Sequence, residues 1–141
     1  MTALHLTVGP PGSGKSTWAR AWVDQARATG APAARINRDD LRVMMYGRLT
    51  GVPEDHVTAV VHAAVRALLA LGVDVVCDNT NLRRQHRQAL AEIGQSVDAQ
   101  VVEHREFLDV PLTDCVRRDL ARGVSRVGIA EITRLMNEAE L

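Results

Sequence analysis

The stretch Gly9-Pro10-Pro11-Gly12-Ser13-Gly14-Lys15-Ser16-Thr17 fits G-x-x-x-x-G-K-[ST], and no other part of the chain restricts the fold so tightly. Leu4-His5-Leu6-Thr7-Val8 before it is a short, mostly apolar run of strand type, and Thr17 to Val23 after it begins a helical pattern. A strand, a Gly-rich turn and a helix are what this phosphate-binding motif needs. The glycines let the backbone curl until successive N–H groups point inward at phosphate oxygens. The helix N-terminus adds its partial positive charge. Lys15 can reach the β- and γ-phosphates, and the Ser16 hydroxyl can ligate magnesium. Gly12, Ser13, Gly14, Lys15, Ser16 and Thr17 are therefore the expected nucleoside-triphosphate contacts, with Ser16 the expected metal ligand.

The remaining elements follow from periodicity and punctuation. A strand is expected over 3–8 and a helix over 15–29, stopped by Gly30 with Pro32 beyond. A weak strand over 33–37 leads to a short helix opened by Asp39-Asp40 and running to Tyr46. The longest helix, 54–71, carries Val57, Val60, Val61, Ala64, Leu68 and Leu71 on one face. A third strand, 73–77, delivers Asp78-Asn79-Thr80-Asn81 to its end, and a helix follows over 83–95. A fourth strand lies within 100–107, Pro111 opens a helix to about Arg122, Gly123 breaks it, and 129–139 closes the chain as an amphipathic helix. Strands alternate with helices throughout, so the expectation is one α/β domain over 1–141, a parallel four-stranded sheet with helices on both faces and a helical lid at about 117–128.

Seventeen basic and seventeen acidic side chains cancel, so no global field points to a nucleic-acid partner and local clusters have to supply one. Cys77 and Cys115 read as free thiols suited to a reducing cytoplasm. No signal peptide or membrane-spanning run is apparent, and the five histidines form no pair with a metal-ligand setting. The expected location is the cytoplasm, the host's if the chain is viral.

In open parallel sheets ligands collect at the carboxyl ends of the strands. That rule gathers the Gly-rich loop, Asn37-Arg38-Asp39 and Asp78-Asn79-Thr80-Asn81 along one edge. Phosphoryl transfer needs a phosphate cradle, a metal, a positioned nucleophile and positive charge over the moving group. Asp39 can take the proton of an attacking hydroxyl, or it can simply cap the helix it opens, as its neighbour Asp40 can. Arg42, three residues on, shares its face and can hold a substrate phosphate, or stand as a solvated arginine. Arg117, Arg118, Arg122 and Arg126 surround Gly123, with Arg118 and Arg122 on one helical face, and have the look of a lid closing over triphosphate or of a solvated basic face. Asp78, at the end of the third strand, suits the acceptor and the magnesium shell, and Asn79 and Asn81 can hydrogen-bond the acceptor or satisfy the backbone of their own turn. Arg38, Arg42, Arg83, Arg84, Arg87 and Arg126 are the side chains from which an electropositive approach for a strand could be built.

Pro-Gly-Ser-Gly-Lys-Ser-Thr-Trp-Ala-Arg, then Ile36-Asn37-Arg38-Asp39-Asp40-Leu41-Arg42, then Asn79-Thr80-Asn81-Leu82 and the segment from Asp109 to Gly123 resemble, in that order, the 5′-kinase domain of phage polynucleotide kinases. The resemblance spans nearly the whole chain. It implies a P-loop kinase fold and an end-repair activity that moves the γ-phosphate of ATP, with magnesium, onto the 5′-hydroxyl end of DNA or RNA. It implies Lys15 and Ser16 on phosphates and metal, Asp39 as general base, Arg42 on the acceptor's phosphate and Arg122 on the transferring phosphate. Arg38 and Val127 then lie on the acceptor side. There are departures. The family's acidic residue in the Asp-Thr-Asn-Leu stretch is Asn79 here, with Asp78 one place earlier, and the proline after the lid is Gly128. The phage enzymes continue into a 3′-phosphatase domain, and no Asp-x-Asp-x-Thr motif is present, so no 3′-phosphatase activity is expected of this chain. No adenine-reading element is obvious, so several nucleoside triphosphates are expected to serve. The competing reading is a small-molecule kinase of the same architecture, acting on a sugar acid, nucleoside or antibiotic hydroxyl. A third is an ATP-binding module without transfer.

Overall fold

The computed structural model describes all of residues 1–141. Four strands, β1 (Ala3–Thr7), β2 (Ala33–Ile36), β3 (Asp74–Cys77) and β4 (Gln100–His104), alternate with helices α1 (Lys15–Ala28), α2 (Arg38–Tyr46), α3 (Glu54–Ala70), α4 (Arg84–Ser96), α5 (Leu112–Leu120) and α6 (Ile129–Asn137). Short 3-10 turns at Glu106–Asp109 and Gly123–Ser125 flank α5. Each expected element is present, with ends within one or two residues of the expectation except at β4, where the broad limits narrow to Gln100–His104.

The strands form one parallel sheet in the order β2-β3-β1-β4. Leu4 pairs with Val75 on one side and Val101 on the other, so β1 is the innermost strand of the loop-bearing half. Side chains alternate across it. Leu4, Leu6, Val75 and Cys77 face the helices α3 and α4, in one large core with Val57, Val61, Val65, Leu69, Leu90 and Ile93. The opposite face meets α1, where Ala19, Val23 and Val76 pack with Trp18 and Trp22. His104 lies on this α1 face. Trp18 stacks at 4.5 Å from its ring, and its Nε2 is 2.9 Å from His5 Nδ1, so the two imidazoles share one proton between those nitrogens. Burial and the neighbouring His104 lower the pKa of His5.

One expected face is corrected. The buried stripe of α3 is Val57, Val61, Val65 and Leu69, at strict four-residue spacing. Leu71 stands past the end of the helix and is 79% exposed, because the chain has already turned toward Gly72 to enter β3. Cys77 is fully buried and burial pushes its thiol up to about 12, an inert core residue.

Two glycines are set by close approach. Gly12 has φ +81°, and a Cβ on it would lie 2.3 Å from the Cys115 carbonyl oxygen, which roofs the loop. Gly94, inside α4, lets that helix settle on the sheet, since a Cβ there would meet Val101 Cγ2 at 2.7 Å and Leu4 Cδ2 at 3.4 Å. Alanine improves helix propensity but overpacks here, and overpacking of this kind costs about 1–3 kcal/mol. Gly94→Ala is therefore expected to lower stability in denaturant unfolding despite its helical preference, and Val101→Ala in the same chain to recover part of the loss.

Candidate active site

The phosphate loop begins where β1 ends. Val8 N–H donates to His104 O and Gly9 N–H to Thr80 O, both at 3.0 Å, so the loop is stitched to the ends of β4 and β3. Gly12 (φ +81°) and Gly14 (φ +94°) take the left-handed turns that curl it, and Gly14 is the N-cap residue of α1. The Pro10 carbonyl is the hub. It accepts from Lys15 Nζ at 2.7 Å, Ser13 Oγ at 2.8 Å and Ser13 N–H at 3.3 Å. Lys15 is 7% exposed, and burial lowers its pKa to about 8 against the opposing pull of Asp78, while Arg122 lowers it further.

At the end of β3, Asp78 is 1% exposed. Arg35 Nε donates to its Oδ2 at 2.7 Å, while its Oδ1 is a buried polar atom with no hydrogen-bond partner. A buried carboxylate oxygen left unpaired is costly unless a cation or an ordered water completes it. Asn79 and Asn81, both expected on the acceptor, face the main chain instead. Asn79 Oδ1 accepts from Arg38 N–H at 2.8 Å, and Asn81, buried with φ +46°, donates from Nδ2 to Thr7 O at 2.9 Å.

The two readings of Asp39 separate at α2. Asn37 is the cap: its Oδ1 accepts from Asp40 N–H at 2.9 Å while its Nδ2 donates to Asp78 O at 2.6 Å. Asp40 pairs with Arg35 at 2.6 Å. Asp39 therefore caps nothing. Its side chain is 60% exposed and accepts from Arg42 Nη1 at 2.6 Å. Arg42 also forks onto Glu54 of α3, Nε to Oε1 at 2.9 Å and Nη2 to Oε2 at 2.8 Å. Arg38 reaches the same Glu54 Oε2 at 2.9 Å and Thr58 Oγ1 at 2.9 Å. These bonds from two guanidinium groups hold the Glu54 carboxyl below the usual carboxylate range. Glu54 was not singled out by sequence reasoning, since nothing local marks a first-turn glutamate as the partner of arginines 12 and 16 residues upstream.

Arg118 Nη1 donates to Gly12 O at 3.3 Å, which lays the C-terminal half of α5 on the phosphate loop. Arg122 is within electrostatic reach of Lys15 and 3.9 Å from Asp119 Oδ1. Asp119 is a second residue the sequence did not reveal. It is fully buried, and its oxygens accept from Val127 N–H at 2.7 Å and Gly128 N–H at 2.8 Å, closing the loop that carries Arg122 and Arg126. Val127 thus contributes its amide to this clasp.

The expected electropositive approach needs one correction. Arg87 is buried, donating to Asn81 O at 2.9 Å and to the Glu140 carbonyl, because α4 turns it inward beneath the C-terminal segment. Arg83 is tied to Glu138 at 2.9 Å, while Arg84 and Arg126 are exposed. No group of three His, Cys, Asp or Glu side chains is placed to hold a metal, and no helix is long and apolar enough to cross a membrane.

Comparison with known proteins agrees with this geometry. A model of the AAA domain family AAA_33 matches residues 4–140. A chain in the structure of the Pnkp1/Rnl/Hen1 RNA repair complex is similar at 30% identity and TM-score 0.76, over 96% of this chain and 44% of its own. A chain of a second Pnkp1/Rnl/Hen1 structure is 34% identical at TM-score 0.71, over 83% of this chain and 38% of its own. This chain therefore spans less than half the length of those relatives. The APS kinase CysC of Mycobacterium tuberculosis, in complex with AMPPNP and APS, shares the fold at 23% identity and TM-score 0.70, over 84% of this chain and 68% of its own. The fold is that of the P-loop kinases.

Two outcomes follow from the site. A charged Lys15 binds phosphate better than a neutral one, so ATP affinity measured by calorimetry should be full below pH 8 and fall as pH rises through about 8, with Lys15→Met weak and flat over the same range. Asp119→Ala removes two hydrogen bonds to a charged acceptor, each of a class worth about 1.5–3 kcal/mol. It should raise amide exchange across residues 123–128 and lower stability by about 3–6 kcal/mol, with Asp119→Asn milder.

Proposed function

The chain belongs to the AAA_33 family of AAA domains, and from that premise we propose that it is an ATP-dependent 5′-hydroxyl polynucleotide kinase, one domain over 1–141 with its lid at 117–128. The observation that carries this reading is the freed Asp39: an exposed carboxylate beside Arg42, within electrostatic reach of Lys15, at the same strand edge as the phosphate loop. The 30% and 34% identity to chains of an RNA repair complex supports a nucleic-acid acceptor.

Asp39 accepts the proton of the acceptor's 5′-hydroxyl as that oxygen forms its bond to the γ-phosphorus. The bond from that phosphorus to the bridging oxygen breaks, and ADP leaves with the electron pair. Lys15, released from the Pro10 carbonyl, and Arg122, released from Asp119, carry the charge on the equatorial and bridging oxygens. Arg42 holds the phosphate on the 3′ side of the first nucleotide, and Arg38 steers the strand. The N–H groups of residues 12 to 17 cradle the triphosphate, with Arg118 over it. Ser16 and the unpartnered oxygen of Asp78 are hard oxygen donors of the kind magnesium takes, Ser16 directly and Asp78 in the surrounding shell. Magnesium, when bound, offsets charge on the β- and γ-phosphates.

Transfer of labelled γ-phosphate to short DNA and RNA strands tests this reading. Strands with a 5′-hydroxyl should be labelled, strands with a 5′-phosphate should not, and chelator should abolish the signal. Asp39→Ala should reduce transfer by about 10²–10⁴-fold while ATP affinity stays within about twofold of wild type. Tight ATP binding with neither strand labelled would retire the nucleic-acid acceptor in favour of a small hydroxyl compound.

A further inference from the structure

The residues already assigned to the acceptor account for its first nucleotide only. Beyond them, the helices α3 and α4 pack together and carry a second set of basic side chains. Arg38 anchors the set, since its Nη1 donates to Thr58 Oγ1 at 2.9 Å. Thr58, His62 and Arg66 succeed one another at four-residue intervals and so form one stripe along α3. Facing it, Arg83 stands at the N-cap of α4 and His86 one turn inside. The link from Asn79 Oδ1 to Arg38 N–H fixes the start of α2 against the end of β3, three residues before Leu82 leads into Arg83.

We propose that this shoulder of His62, Arg66, Arg83 and His86 holds a downstream phosphodiester of the acceptor strand, so that the kinase prefers a polynucleotide to a single nucleotide; the inference rests on the polynucleotide reading above. Arg38 lies close enough to act on both histidines, His62 acts on His86, Arg66 acts on His62 and Arg83 on His86. Cations are the only charges that act on His62, and the pKa values of both imidazoles are lowered by burial and by these neighbours. Three carboxylates stand at the margins. Glu54 is committed to Arg38 and Arg42, Glu138 to Arg83, and Glu140 acts weakly on His86. The centre of the shoulder thus offers guanidinium and imidazole N–H donors with no uncommitted carboxylate among them, a setting that a phosphate diester completes. The stripe from Thr58 to Arg66 is about 12 Å long at the helical rise, room for a strand to continue past Arg38 while its end sits at Asp39.

The experiment compares a 5′-hydroxyl octanucleotide with a nucleoside 3′-monophosphate, each with ATP and magnesium, in wild type, Arg66→Glu and His62→Gln/His86→Gln. KM for the octanucleotide should rise about tenfold in both variants, and KM and kcat for the nucleoside 3′-monophosphate should stay unchanged. The slope of log affinity against log salt for the octanucleotide should fall by about one in Arg66→Glu. Circular dichroism and the unchanged small acceptor certify the fold. Octanucleotide kinetics unaffected in both variants, or equal losses on both acceptors, would overturn the shoulder while leaving the kinase standing. A wild-type protein that binds ATP and labels neither acceptor would remove the polynucleotide reading, and the shoulder with it.

Discussion

A lysine ammonium buried against neutral oxygens is the constraint to which the rest of this structure answers. Lys15 is nine-tenths withdrawn from water, and its contacts are the Pro10 carbonyl and, at 3.5 Å, the Ser13 hydroxyl. Desolvating a cation this way is unfavourable, which is why burial moves its pKa so far down. The loop tolerates it because left-handed glycines bring a carbonyl inward and because other elements hold the loop shut. The Cys115 carbonyl closes over Gly12, Phe107 packs on Gly9, and the ends of β3 and β4 bind its first amides. A phosphate entering the loop meets a lysine already stripped of water, so little reorganisation remains when charge develops.

The same economy of partners appears at α2. One carboxylate, Glu54, orients two arginines, and its fork onto Arg42 fixes that guanidinium in a plane. Arg42 still touches Asp39 with its remaining Nη1, so the two form a unit rather than two independent side chains. This arrangement depends on Asn37. By taking the cap of α2 and bonding to the end of β3 at once, it both frees Asp39 and sets the distance between the α2 residues and Asp78.

Periodicity and punctuation carried the fold in sequence because each strand here is short, apolar and bounded by glycine or a helix cap. The loop residues were legible for the same reason: their motif is contiguous and its geometry local. Asp39 was legible only as one of two alternatives, since cap and base have the same sequence signature, and the Asn37 hydrogen bonds remove the cap. Glu54 and Asp119 escaped because their meaning lies in partners on other segments. Arg87 was misplaced because an arginine in the first turn of an amphipathic helix reads as solvated, whereas the C-terminal segment folds over it and offers carbonyl acceptors. Leu71 erred in the opposite sense, its helical phase correct but its helix one residue too short.

The segment after α5 shows how Arg122 can move without disturbing the phosphate loop. The first half of α5 is locked to the phosphate loop by the approach of Cys115 to Gly12, so closure cannot begin there. Residues 120–127 are all exposed and contain Gly123 in a left-handed turn, with Gly128 also at positive φ just beyond. Asp119 pins both ends of that segment. If its carboxylate depended on Arg122 alone, each swing of the arginine toward a phosphate would strand a buried charge, at several kcal/mol. The amides of Val127 and Gly128 remain on it throughout, and the 3.9 Å contact to Arg122 is the one that can be given up. In the proposed kinase, Arg122 would therefore reach the transferring phosphate by a local rearrangement of the loop after α5, with α5 and the phosphate loop left in place.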